Sequence, residues 1–113
     1  MTRLLPFLTL LTACAATQDT ASYPPCLEVE ILRWSDQKAC AEGASVMRYA
    51  FRQDTVYLFD PGSCGADMGQ DVYDADCTHL GFLGGFPGFT EIQGIPFHPN
   101  AVLLDTVWRN GGD

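Results

Sequence analysis

Five cysteines, two histidines and a run of aspartates are the residues of this chain whose types and spacing could do chemistry. Cys26, Cys40, Cys64 and Cys77 lie 14, 24 and 13 residues apart. Thiolate zinc sites pair their ligands in C-x-x-C knuckles, and this spacing contains none. Four cysteines in an exported domain read instead as two disulfides, with three pairings open to the residues alone. Cys14 is the odd one out and needs a different explanation.

Asp60, Asp67, Asp71, Asp74 and Asp76 place five carboxylates within 17 residues, beside a Pro-Gly turn. Calcium takes six to eight hard oxygen ligands from flexible loops, so Asp67, Asp71, Asp74 and Asp76 are weak metal candidates. Their spacing fits no EF-hand, and a solvated acidic rim is the preferred reading. His79 and His98 stand 19 residues apart and in no metal-binding pattern, so no metal or other cofactor is expected. Gly62-Ser63-Cys64-Gly65 resembles a nucleophile elbow only superficially, because the G-x-S-x-G frame needs glycine where Pro61 stands. With Cys64 assigned to a disulfide, no nucleophile, base and orienter set remains, and the domain is expected not to be an enzyme.

The N-terminus explains Cys14. Arg3 is followed by a short apolar run from Leu4 to Leu11, then by Leu11-Thr12-Ala13-Cys14. This is the pattern of a secretory signal ending in a lipobox, with cleavage after Ala13 and acylation of Cys14. The run is about half the ~20 residues that a membrane-spanning helix needs. Residues 1–13 are therefore expected to be a lipoprotein signal peptide and residues 14–25 a lipidated cysteine with a flexible tether ending in Pro24-Pro25. Residues 26–110 form the one domain, since so short a chain supports one core. Ala15 after the cysteine suits transfer to the outer membrane, so the domain should face the periplasm or the cell exterior.

The formal charge of −8 repels phosphate backbones and anionic lipids, which argues against nucleic-acid partners. The expected partners are the membrane, through acyl chains on Cys14, and a protein of the envelope.

The elements that must hold these residues centre on Thr55 to Phe59. Val56 and Leu58 share one face of an extended strand and Tyr57 and Phe59 the other, so both faces need cover and the strand should be central. Pro61-Gly62 ends it, turning the chain to deliver Cys64 to the end of the sheet. Ser45 to Arg52 alternates as a half-solvated strand, with Met47, Tyr49 and Phe51 opposite Arg48 and Arg52. Cys77–Gly84 and Val102–Trp108 read as further strands. Leu27, Ile31 and Trp34 share a helical arc, predicting a short helix over Cys26–Trp34. Gly84 to Phe89 reads as a glycine-rich apolar loop, with Phe82, Phe86 and Phe89 either in the core, the preferred reading, or in an exposed aromatic patch for a partner. The predicted fold is α+β, one N-terminal helix packed on an antiparallel sheet of about four strands with two disulfides.

Cys26-Leu27, the block from Val56 to Cys64, Val72-Tyr73-Asp74, Gly84-Gly85-Phe86 and Thr106 to Asn110 together resemble DUF6970, a family of small bacterial envelope proteins of unknown function. The resemblance covers Pro25 to Asn110 and implies exported or lipid-anchored proteins without assigned catalytic residues. It also implies the pairing Cys26–Cys64 with Cys40–Cys77. The expected function is that of a non-enzymatic binding module, the Pro61–Met68 turn being a disulfide-constrained loop of the kind that binds a partner. A calcium-binding acidic loop, a protease-inhibitor-like module and a small hydrolase are the alternatives, in that order.

Overall fold

The computed structural model describes residues 23–110. Cys14, the signal sequence and most of the tether lie outside the described residues. Helix α1 (Pro25–Gln37) opens the domain. Pro24 precedes it in extended conformation and Pro25 occupies its first turn, where a missing amide donor costs nothing. The helix runs three residues past the predicted end at Trp34, and the Lys38 N–H closes it on the Trp34 carbonyl. Leu27, Ile31 and Trp34 are its buried face, the arc read from their spacing.

Strands β1 (Ser45–Phe51), β2 (Asp54–Asp60), β3 (Gly69–Asp74), β4 (His79–Gly84) and β7 (Ala101–Arg109) form one antiparallel sheet in the order β4-β3-β2-β1-β7. A separate ribbon pairs β5 (Glu91–Ile92) with β6 (Ile95–Pro96) and leads into the short helix α2 (Phe97–Asn100). The sheet therefore has five strands rather than about four, and the ribbon adds a layer not expected from the sequence. Cys77 is not in a strand, as the Cys77–Gly84 reading had it. It sits at φ 65° in the tight β3–β4 turn, its N–H donating to the Asp74 carbonyl at 3.0 Å.

β2 is central, as its two apolar faces require. Tyr57 and Phe59 point to the α1 side, where they pack with Leu27, Ile31, Trp34, Ala44 and Val46. Trp34 stands edge-on to Phe59 at 5.1 Å and to Trp108 at 5.8 Å, a favoured aromatic geometry. Val56 and Leu58 point the other way, joining Phe51, Val72, Leu83, Ile92 and Phe97 under the ribbon and α2. Met47 and Tyr49 pack against that second cluster, as the alternation of β1 indicates. Arg52 is not on the strand face with Arg48. It forms the β1–β2 turn with Gln53, both at positive φ (54° and 72°), as in a two-residue type I′ hairpin.

The aromatic residues after β4 correct a further expectation. Gly84 and Phe89 exchange both backbone hydrogen bonds, at 2.7 and 3.1 Å, and Gly88 N–H bonds the Gly85 carbonyl, closing a tight turn. Gly85 and Gly88 both take positive φ, which glycine adopts freely. The turn projects outward, so Phe86 is 84% exposed and Phe89 53%, and neither is core.

Candidate functional site

The disulfides are Cys26–Cys77 and Cys40–Cys64. The pairing implied by resemblance, Cys26–Cys64 with Cys40–Cys77, is thus overturned. Topology gives the reason. Cys26, in the first turn of α1, lies at the same end of the sheet as the β3–β4 turn carrying Cys77. The loop leaving α1 returns alongside the segment leaving β2, where Cys40 N–H donates to the Pro61 carbonyl at 2.9 Å and faces Cys64.

The aspartates do not converge. Asp60 accepts the Gly62 N–H at 2.9 Å and shapes the turn. Asp74 accepts from the N–H groups of Asp76 and Thr78, both at 2.9 Å, and organises the β3–β4 turn. Asp67 and Asp76 are exposed. Asp71 alone is buried, at 8% exposure, with His79 Nε2 donating to it at 2.9 Å and Lys38 Nζ 3.8 Å away. Among the described residues no three His, Cys, Asp or Glu side chains are grouped to hold a metal ion.

Asp71 and His79 resemble the orienter and base of a catalytic pair, but no hydroxyl or thiol bonds His79 among the described residues. Tyr73 stacks edge-on against His79 at 5.1 Å and donates its hydroxyl to Glu30 at 3.1 Å, and Glu30 is also paired with Arg33. Burial, then the Glu30 carboxylate, pushes the Tyr73 phenol up to about 12. This proton stays in place at neutral pH. On the far side of α1, Arg48 makes a bidentate pair with Asp105 of β7 at 2.8 Å in both bonds, which keeps its guanidinium firmly charged.

Two concavities flank the segment from Pro61 to Met68. One, of about 620 Å³, lies over the Cys40–Cys64 bond and is walled by Ala41, Glu42, Gly43, Asp60, Gly62 and Ser63. It is the larger, but small and acidic side chains give an apolar ligand nothing to press against. The other, of about 330 Å³, is walled by Trp34, Pro61, Met68 and Phe82, with Lys38 and Asp71 beside them. Large apolar walls with a few polar groups are the composition of ligand sites, so the smaller groove is the better candidate. Gly69 shapes its floor. A Cβ there would come within 2.3 Å of the Phe82 ring and 2.5 Å of the Leu83 carbonyl, so only glycine lets ring and backbone close up.

Ser63 to Asp67, the tip of the loop read as a binding element, is exposed, and Cys64 pins it to the body of the domain. Trp34, Lys38, Met68 and Phe82 were not foreseen as a group. The available signal was Gly69 at the head of a strand, which marks a close approach of something bulky.

The family described as "Domain of unknown function (DUF6970)" matches residues 33–110. The chain belongs to the DUF6970 family. No curated protein and no solved structure matches it. The matched span contains both concavities, β1 to β7 and three of the four domain cysteines. Cys26 lies outside it, so the Cys26–Cys77 bond ties the first turns of α1 to the DUF6970 region. Among the described residues no helix is long and apolar enough to cross a membrane.

Proposed function

We propose that this DUF6970 protein is a lipoprotein of the bacterial envelope whose domain is a non-enzymatic binding module, using the Pro61–Met68 loop and the groove beside it. One observation carries the binding role: an exposed loop, covalently pinned at Cys64, forms a wall of a groove lined by Trp34, Met68 and Phe82. A constrained loop loses little conformational freedom when a partner docks, and an apolar groove gives the partner a side chain's worth of burial. The partner expected is an envelope protein that places an apolar side chain against Met68 and Phe82.

A photo-crosslinking residue in place of Ala66, activated in whole cells, should trap one discrete adduct. Met68→Glu, which puts a charge into the groove wall, should abolish it. Adducts unchanged by Met68→Glu, or the same adducts from a crosslinker at Arg52 on the opposite end of the sheet, would remove the reading.

The lipoprotein part rests on Leu11-Thr12-Ala13-Cys14 and on cysteine arithmetic, because Cys26, Cys40, Cys64 and Cys77 pair among themselves and leave Cys14 over. Acyl chains on Cys14 would anchor the tethered domain, and Ala15 favours the outer membrane. Cys14→Ser should release the protein from membranes with its disulfides intact. Persistence of the variant in outer-membrane pellets after a high-salt wash would refute the anchor.

A further inference from the structure

The two disulfides are held differently. Cys40 is 5% exposed, its N–H bonded to the Pro61 carbonyl and its own carbonyl receiving the Asn110 side-chain amide. Met68 Sδ lies 3.9 Å from Cys40 Sγ and helps to cover it. Cys64 belongs to the exposed stretch Ser63 to Asp67, and the concavity of about 620 Å³ opens onto the bond beside it. The Cys64 N–H donates to Cys40 Sγ at 3.1 Å. An N–H donor aimed at sulfur stabilises that sulfur most when it is a thiolate, so it favours Cys40 as the leaving group.

We propose that Cys40–Cys64 is a thiol-exchange site at which an external thiol or dithiol attacks Cys64 Sγ and Cys40 departs as the thiolate. In the first step the attacking thiol gives its proton to solvent, its sulfur bonds Cys64 Sγ, and the bonding pair of the broken S–S bond leaves on Cys40 Sγ. The attacking thiol is thereby oxidised to a mixed disulfide and Cys40 is reduced. With a dithiol, its second thiolate attacks its own first sulfur, closing an internal disulfide and leaving Cys64 as a thiolate. Cys40 stays in place through its backbone bonds, while Gly62 to Asp67 is freed. The exchange depends on the disulfide alone and not on the neighbouring groove having an occupant.

Cys26–Cys77 shares the exposed cysteine but not the N–H donor to its partner sulfur. Cys26 is exposed, but Cys77 Sγ receives no N–H hydrogen bond among the described residues, and both cysteines sit in hydrogen-bonded turns. The walls of the reactive concavity carry Glu42 and Asp60, so the site should prefer a cationic thiol over an anionic one.

The test uses the oxidised wild-type chain, treated with cysteamine or with glutathione, quenched by alkylation and mapped by peptide mass spectrometry. Cys40–Cys64 should open at least about tenfold faster than Cys26–Cys77, with the adduct on Cys64 and the alkyl group on Cys40, since access and leaving-group stability set exchange rates. Cysteamine should outrun glutathione, and Glu42→Gln should narrow the gap. An adduct on Cys40, or prior opening of Cys26–Cys77, would overturn the assignment of the site. A rate ratio unmoved by Glu42→Gln would overturn the role given to the acidic wall.

Discussion

The two faces of β2 start from the same kind of residue and end under different covers. Tyr57 and Phe59 lie beneath α1, a helix of 13 residues tied to the β3–β4 turn by Cys26–Cys77. Val56 and Leu58 lie beneath the β5–β6 ribbon and α2, which no disulfide holds. A helix is a cylinder about 10 Å wide laid on a sheet about 19 Å across, so it leaves a gutter on each side. Those gutters hold the polar groups: Glu30, Arg33, Tyr73, Asp71 and His79 on one side, Arg48 and Asp105 on the other. The groove of Trp34, Met68 and Phe82 lies at the end of the first gutter. The ribbon and α2 fill their face with Ile92 and Phe97, and among the described residues this face carries no comparable polar network. In this fold the groove follows from incomplete cover, on the face where a disulfide ties the helix down.

If the ribbon face is held by packing alone, its largest weakness is Phe97, which is fully buried against Tyr49 and Phe51. Phe97→Ala should cost ~3–5 kcal/mol in a urea titration. Amide exchange should then show residues 91–100 opening well before β2. Equal protection of ribbon and β2 in the variant would erase the contrast between the faces.

The covalent tie on the helix face should be worth nearly as much. Cys26→Ala with Cys77→Ala opens a loop of sequence separation 51, and Cys40→Ala with Cys64→Ala one of 24. Chain entropy gives about 4 kcal/mol for the first and about 3.5 kcal/mol for the second. The first double variant should lose helix signal by circular dichroism at lower urea than the second. The reverse order would mean that α1 is held by Trp34 and Ile31 packing and not by its staple.

How much of this was legible depended on whether a feature is local. Val56 to Phe59 declares a central strand by itself, because four consecutive apolar side chains need two covered faces. Leu27, Ile31 and Trp34 likewise declare the inward side of a helix. The ribbon was invisible, since strands of two residues exist only through what they pack against. Phe86 and Phe89 misled for a related reason: their hydrophobicity argued for burial, while the glycines on either side built a turn that points outward. Disulfide pairing and the groove are tertiary facts. The groove walls come from α1, the loop after β2, and β4, and no window of sequence contains all of them.

A smaller effect should attend the far gutter. Arg48 and Asp105 form a bidentate pair that is partly exposed, so Arg48→Ala should cost about 1 kcal/mol and less at high salt. A double-mutant cycle with Asp105→Asn isolates the pair. A coupling near zero would show that this gutter, unlike the other, is ordinary surface.

The smallest effect at neutral pH, and the sharpest probe of the near gutter, belongs to Tyr73. Its phenol is held up to about 12, first by burial and then by the hydrogen bond to Glu30, whereas a tyrosine in the unfolded chain titrates near 10. Below pH ~10 both states keep the proton, and the stabilising contribution is fully present. Between that value and about 12 the unfolded state releases its proton while the folded state retains it, so the unfolded state binds fewer protons and stability falls as pH rises. Tyr49 and Tyr57 are also shifted upward by burial, so they contribute to the same alkaline decline. Tyr73→Phe should therefore shallow the slope of stability against pH in this window without abolishing it. Glu30→Gln should also shallow it, by removing the smaller of the two main causes. An unchanged slope in Tyr73→Phe would mean that water reaches the phenol, and with it that the gutter beside α1 is open along its length and not only at the groove.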